Sequence, residues 1–150
     1  MRANIGSGII AEKISDFIKI NKVATICCIN EDAVPYCFNC FYAFQEKTHL
    51  LFFKSSANSY HSKLLSTNPQ VAGTILPNKI ELLSLKGIQF TGRILYDSFP
   101  DQIQPEVCFH KMHPFAIAKP GHVWCIELET AKMTDNTQVF GKKTEWRKSD

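Results

Sequence analysis

Apolar residues along this chain recur at two periods, and the changes of period mark its elements. Ile10, Ile14, Phe17 and Ile18 fall at helical spacing, which predicts a helix capped by Ser7 and running to about Lys19. Strand-like runs follow: "VATICCIN" (23–30), "AVPYCFNCFYAF" (33–44) and "HLLFFKSS" (49–56). Glu31-Asp32 joins the first two and the polar turn "QEKT" joins the next two, so both connections read as hairpins. "SANSYHSKLLSTNP" predicts a short helix, capped by Ser56 or Asn58 and ending before Asn68-Pro69. "VAGTIL" (71–76) and "LLSLKGIQFTGRILYD" (82–97) are further strands. Segment 99–118 reads as helical or irregular, interrupted by Pro105 and Pro114, and "HVWCIELETAKMT" (122–134) is the last clear strand. The tail is polar, with Phe140 and Trp146 as candidate anchors. Six strands in mostly hairpin order, with a helix inserted, predict a mainly β (α+β) fold: a small six-stranded antiparallel barrel with flanking helices. No repeat or long linker divides the sequence, so residues 1–150 form one expected domain.

Composition narrows the function classes. With 45% hydrophobic and 21% charged residues, the chain is ordinary for a globular protein. No apolar run approaches the roughly 20 residues that span a bilayer, and "MRANIGSGIIAEK" has no signal-peptide pattern. A cytoplasmic protein without a membrane partner is therefore expected. The net charge of +3, from 17 basic and 14 acidic residues, is too mild and scattered for nucleic acid. It suits a small anionic ligand held by a few lysines. The six cysteines are expected as buried free thiols.

Cys37 and Cys40 have the spacing of a dithiol or a zinc pair. Their strand setting argues against both, because residues three apart on a strand point to opposite faces. Cys108, His110 and His113 are the clustered candidates for further ligands, and their spacing matches no standard site, so no metal is expected. "GSG" (6–8) lacks the preceding strand and third glycine of a dinucleotide fingerprint. "KSSANSYHSK" (54–63) is more suggestive: hydroxyl residues lead into a helix whose first turn carries His61 and Lys63, the ingredients of a phosphate cradle. A capped helix with solvated polar residues is the plain alternative. No nucleophile has an evident base, and no catalytic residue is identified.

Taken as one unit, 35–92 resembles the pyridoxamine 5′-phosphate oxidase-like FMN-binding split barrels. The shared order is a strand, a turn, "LLFFKSS", "YHSKLLSTNPQVAGTI" and "LKGIQFTGRI". It matches the family's "R-x-V-x-L-K" strand, "F-Y-T-N-x-x-S-R-K", "N-P" and "R-Q-V-x-V-x-G". With the tail "TDNTQVFGKKTEW", the chain looks closest to an uncharacterised bacterial branch of that superfamily. The resemblance implies a split barrel that pairs as a homodimer around two FMN molecules and acts on a small-molecule substrate. It implies that Lys54 and Ser55 meet the flavin and that Ser59, Tyr60 and His61 hold its phosphate. Beside the resemblance, Ser56 reads as a further hydrogen-bonding group near the ring and Lys63 as a cation that offsets the missing Arg-Lys charge. Asn39 and Cys40 lie on the strand beside the ring. Lys86 and Gly87 fall on the family's Arg-Gln pair, with Gln89 on the same strand face as Gly87. Apart from the resemblance, Lys142 of "FGKK" is expected to close over the site, from this or the other subunit. Departures are plain: Asn39 stands where the family has arginine, Phe44 where it has lysine, and Tyr60-His61 where it has Arg-Lys. The oxidase's C-terminal Arg-x-His has no counterpart, which argues against pyridoxal phosphate synthesis. The implied function is an FMN-dependent oxidoreductase, with nicotinamide as a donor; a flavin- or haem-holding sensor without turnover is the alternative.

Overall fold

The computed structural model describes residues 4–7, 10–136 and 142–149, and the side chains of 10–136 and 143–149. Nine strands are described: β1 (Asn4–Ser7), β2 (Val23–Ile29), β3 (Pro35–Phe41), β4 (Ala43–Gln45), β5 (Leu50–Ser55), β6 (Gln70–Ile75), β7 (Lys86–Leu95), β8 (His122–Asp135) and β9 (Lys142–Arg147). Three α-helices join them: α1 (Glu12–Ile20), α2 (Tyr60–Leu65) and α3 (Pro105–Met112). Two 3-10 turns, Pro100–Gln102 and Pro114–Ala118, flank α3.

The fold is mainly β, as the periodicity predicts, but the expected six strands become nine. Two differences come from the termini. Ser7 does not cap a helix; it ends β1, which pairs in parallel with β9. α1 starts at Glu12 behind Ala11, which offers no side-chain cap. The polar tail adds β9 along the C-terminal half of β8 and places Trp146 in the core. Phe140, the other candidate anchor, lies outside the described residues. The third difference is a break at Tyr42 that divides the expected strand 33–44 into β3 and β4. Tyr42 gives its N–H to the Lys22 carbonyl at 3.0 Å and its hydroxyl to the Ile18 carbonyl at 2.7 Å, turning the chain there. The strand expected from 82 begins only at Lys86, and Leu82 and Leu83 are exposed.

Strand order explains the barrel. The hydrogen-bonded path runs β1-β9-β8-β7-β6-β2-β3, and β5 pairs with both β4 and the N-terminal half of β8. Among the described residues, β3 pairs with β2 alone. β3 and β5 therefore meet without a ladder, across the rings of Phe38 and Phe53 with centroids 5.6 Å apart. That unpaired seam is the split in the barrel. At the bulge between Thr91 and Gly92, a Cβ on Gly92 would sit 2.5 Å from the Glu127 carbonyl oxygen, so the close approach of β7 to β8 requires glycine there.

Burial follows the strand pattern. Ile14, Phe17 and Ile18 of α1 close one end of an interior that includes Ile26, Phe53, Ile75, Phe90, Ile126 and Trp146. β5 buries four residues in succession, because its two faces meet different partners. Leu51 and Phe53 enter the barrel, while Leu50 and Phe52 join a second cluster with Phe109 of α3 and Ala116 of the second 3-10 turn. Among the described residues, no helix is long and apolar enough to cross a membrane.

Candidate functional site

The seam between β3 and β5 opens into a cleft of about 300 Å³. β3 contributes Phe38, Asn39, Cys40 and Phe41, and the end of β5 with the residue beyond it contributes Lys54, Ser55 and Ser56. α2 adds His61. The far wall is Phe109, Phe115, Ala116, Lys119 and Pro120. Among the described residues, two lysines line this cleft and no carboxylate does, so its field favours an anion.

Lys54 is held rather than free. Its ammonium donates to the Ala116 carbonyl at 2.8 Å and to His110 Nε2 at 3.0 Å. Two of three N–H donors are thereby used and one is left for a ligand. Those two bonds also fix the Pro114–Ala118 turn against the end of β5. On the opposite side, His61 stacks on Phe38 with centroids 3.8 Å apart and planes 8° from parallel. Its Nε2 is hydrogen-bonded to Ser55 Oγ.

The stack also sets the charge of His61. Burial holds its pKa below the ordinary 6.5, so at neutral pH it is an uncharged hydrogen-bonding group and adds nothing to the positive field. An NMR titration of the imidazole is expected to give a midpoint below 6.5; a midpoint at or above that value would remove the argument. The sign for stability follows. The unfolded chain binds the proton more readily, so this contribution is intact above about pH 6.5 and declines as the pH falls through the unfolded pKa toward the folded one.

Behind the cleft, serines order the entry to α2. Ser59 Oγ caps the helix by accepting from the Ser62 N–H at 3.3 Å, and donates to the Ser56 carbonyl at 2.8 Å. The buried Ser62 hydroxyl donates to that same carbonyl at 2.7 Å. The cap expected at Ser56 or Asn58 is thus Ser59. Tyr60 points elsewhere, making an edge contact with Tyr36 at 4.9 Å.

Asn39, Cys40, Lys54, Ser55, Ser56 and His61, all singled out in the sequence, line one cleft, with Ser59 and Tyr60 beside it. Asn39 Oδ1 accepts from Thr25 Oγ1 at 2.6 Å. Burial pushes the Cys40 thiol up to about 12, which makes it a packing group. Lys63 lies on the exposed side of α2 and Gln89 on the exposed face of β7; neither lines the cleft. Lys142 pairs with Asp135 in the β8–β9 ladder, and its side chain lies outside those described. The wall built by Phe109, Phe115, Lys119 and Pro120 was not singled out. Its trace in the sequence is "HPFAIAKPG", apolar residues between two prolines, where Phe115 is left 59% exposed.

The cysteine pair divides as strand alternation requires. Cys37 is exposed, while Cys40 packs against the barrel interior. Cys108, His110 and His113 do not converge either: His113 Nε2 bonds the Tyr42 carbonyl at 2.7 Å and His110 holds Lys54. Among the described residues, no group of three or more His, Cys, Asp or Glu side chains is arranged to hold a metal ion.

Comparison with known proteins places this geometry. The fold is similar to that of a heme-binding protein from Mycobacterium smegmatis, with a TM-score of 0.71 at 12% identity over 87% of this chain. The match covers 55% of that protein, so the chain spans about half its length. A FAD-binding protein from Mesorhizobium loti matches with a TM-score of 0.65 at 18% identity, covering 85% of this chain and 95% of that one. At such identities the likeness speaks for the fold: a split barrel shared with haem- and flavin-binding proteins. No family model matches the chain. A UPF0306 protein of Photorhabdus laumondii is 33% identical over 135 residues, 90% of this chain and 94% of the relative. A UPF0306 protein of Yersinia pestis is 32% identical over 133 residues, again with about nine-tenths of each chain matched. On that likeness, which runs through nearly the whole of both chains, this protein belongs to the UPF0306 family.

Proposed function

We propose that the cleft binds a flat anionic redox cofactor, FMN, and that the protein is a flavin-dependent oxidoreductase acting on a small substrate. One observation carries this reading: the cleft joins aromatic walls to two lysines, with no carboxylate among the described residues that line it. Phe38, Phe41 and Phe115 offer apolar surface to a ring system. Ser55, Ser56 and Asn39 offer hydrogen bonds to its polar edge, and Lys54 and Lys119 offer charge to a phosphate. Bound FMN would supply the electron-transfer chemistry, with a nicotinamide as donor; the chain's part is to orient the ring and exclude water from one face.

The family resemblance and the flavin-binding neighbour favour this cofactor. At about 300 Å³ the cleft is at the small end of ligand pockets, and Phe41 and Phe115 at its rim stay at least half exposed. A second copy of the chain covering that rim would complete the enclosure, so the functional unit in this reading is a homodimer. All six cysteines are free thiols, which suits the cytoplasm. A second reading, haem held without turnover, draws on the uncharged His61 imidazole in the cleft, a haem-iron ligand type.

The visible absorption spectrum of the untreated protein tests both. Paired flavin bands that NAD(P)H bleaches are expected; a single intense haem band would favour the second reading. Colourless protein that neither quenches the fluorescence of added FMN nor shifts the absorption band of added haemin would overturn the proposal.

A further inference from the structure

Outside the cleft, two cysteines meet across the β2–β3 hairpin. The register sets Cys27 directly opposite Cys37. Hydrogen bonds at both ends of this ladder fix its phase: the Asn30 N–H donates to the Val34 carbonyl and the Tyr42 N–H to the Lys22 carbonyl, each at 3.0 Å. Bonded and non-bonded pairs alternate in an antiparallel ladder, so Cys28–Tyr36 and Ile26–Phe38 are bonded pairs and Cys27–Cys37 is a non-bonded one. In such a pair the Cα atoms are about 4.5 Å apart and the side chains lie closest. That separation falls inside the range of about 4.4–6.8 Å that a disulfide spans.

Both thiols point out of the barrel, since Ala24, Ile26 and Cys28 take the inward positions of β2. The Cys27 thiol donates only a long bond to the Cys28 carbonyl, at 3.8 Å, and the register keeps it facing Cys37. Cys37 is exposed and Cys27 partly so. Cys27 also lines an outward cleft of about 340 Å³ with Ile29, Pro35, Ala72 and Thr91, which gives a small reagent access. Cys28, the sequence neighbour, is a poor competitor. It is fully buried, its thiol donates to the Tyr36 carbonyl at 3.5 Å, and its pKa is pushed up to about 11, chiefly by burial.

We infer that Cys27 and Cys37 form a reversible redox clip, closed by a low-molecular-weight disulfide. Cys37, the more exposed, attacks as its thiolate; the reagent's S–S bond breaks, one thiol leaves, and a mixed disulfide remains on Cys37. Cys27 then attacks the Cys37 sulfur and expels the second thiol. Two protein thiols are oxidised, one reagent disulfide is reduced, and the two protons go to the departing thiolates. The clip fastens β3, which among the described residues has a hydrogen-bonded neighbour on one side only, to β2. It does not depend on what the β3–β5 cleft holds.

The test exposes the reduced full-length protein to glutathione disulfide, then alkylates the free thiols without reductant and maps the peptides. A Cys27–Cys37 linked peptide is expected, with loss of alkylation at both residues and full recovery after reduction. In Cys37→Ser the linkage is lost while Cys27 remains labelled or carries a glutathione. A lasting glutathione adduct on Cys37 beside a free Cys27 would overturn the clip. So would linkage to any other cysteine, a bond between two chains, or unchanged labelling of both residues.

Discussion

Trp146→Ala is expected to cost about 3–5 kcal/mol of folding stability, the range for removing a buried large aromatic side chain. Domains of this kind hold about 5–15 kcal/mol in total, so the variant is expected to be marginally folded. Trp146 is 1% exposed on β9, inside the barrel cluster, with its ring in edge contact with His49 at 4.7 Å. Its indole N–H has no hydrogen-bond partner among the described residues, so its contribution is packing. Trp146→Phe should therefore retain much of what alanine loses. Urea unfolding followed by far-ultraviolet circular dichroism would show the alanine midpoint falling sharply at unchanged slope, with phenylalanine in between. A loss below ~1 kcal/mol for alanine, outside the range set by cavity-forming substitutions, would mean that the tail is not part of the core.

That tail shows where the sequence stops being readable. "KKTEWR" places a single large apolar residue among polar ones, so neither period could emerge from it; β9 exists because β8 is long enough to pair with β5 and β9 in succession. Ser7 is the reverse case. A hydroxyl residue ahead of an apolar stripe is a cap signal, but the same residue ends a strand once β9 is beside it. α1, the two hairpins and β5 through α2 were legible because their information is local: a stripe, a polar turn, a run of hydroxyl residues. Half of the cleft was legible for the same reason, since residues 54–61 are contiguous. Its other wall comes from 109–120 and, Lys119 aside, consists of ordinary apolar residues whose role arises only when β5 and α3 pack together. The cysteines make the same point. Cys37 and Cys40 draw attention by proximity along the chain, yet the neighbour of Cys37 is Cys27, found only through the register of the hairpin.

Lys54→Met is expected to weaken FMN binding by about 1.5–3 kcal/mol, the value of a hydrogen bond to a charged group, or roughly ten- to hundredfold in Kd. Methionine keeps the aliphatic stem along the cleft wall and removes the ammonium, so the loss reports charge more than packing. His61 is neutral at pH 7 and Lys63 faces solvent, which leaves Lys54 and Lys119 as the cations lining the cleft. Of these, Lys54 is already anchored by the Ala116 carbonyl and His110, so little side-chain freedom is lost when a phosphate takes its third donor. The measurement is a fluorescence titration of FMN, repeated at two salt concentrations. The wild-type affinity should fall with salt, and the dependence should shrink in the variant. Lys63→Met serves as the comparison and should bind as the wild type does. An unfolding midpoint for each variant separates a loosened Pro114–Ala118 turn from a lost phosphate contact. If Lys63→Met weakened binding while Lys54→Met did not, the phosphate would lie on the outer side of α2, and the cleft would have to be reassigned.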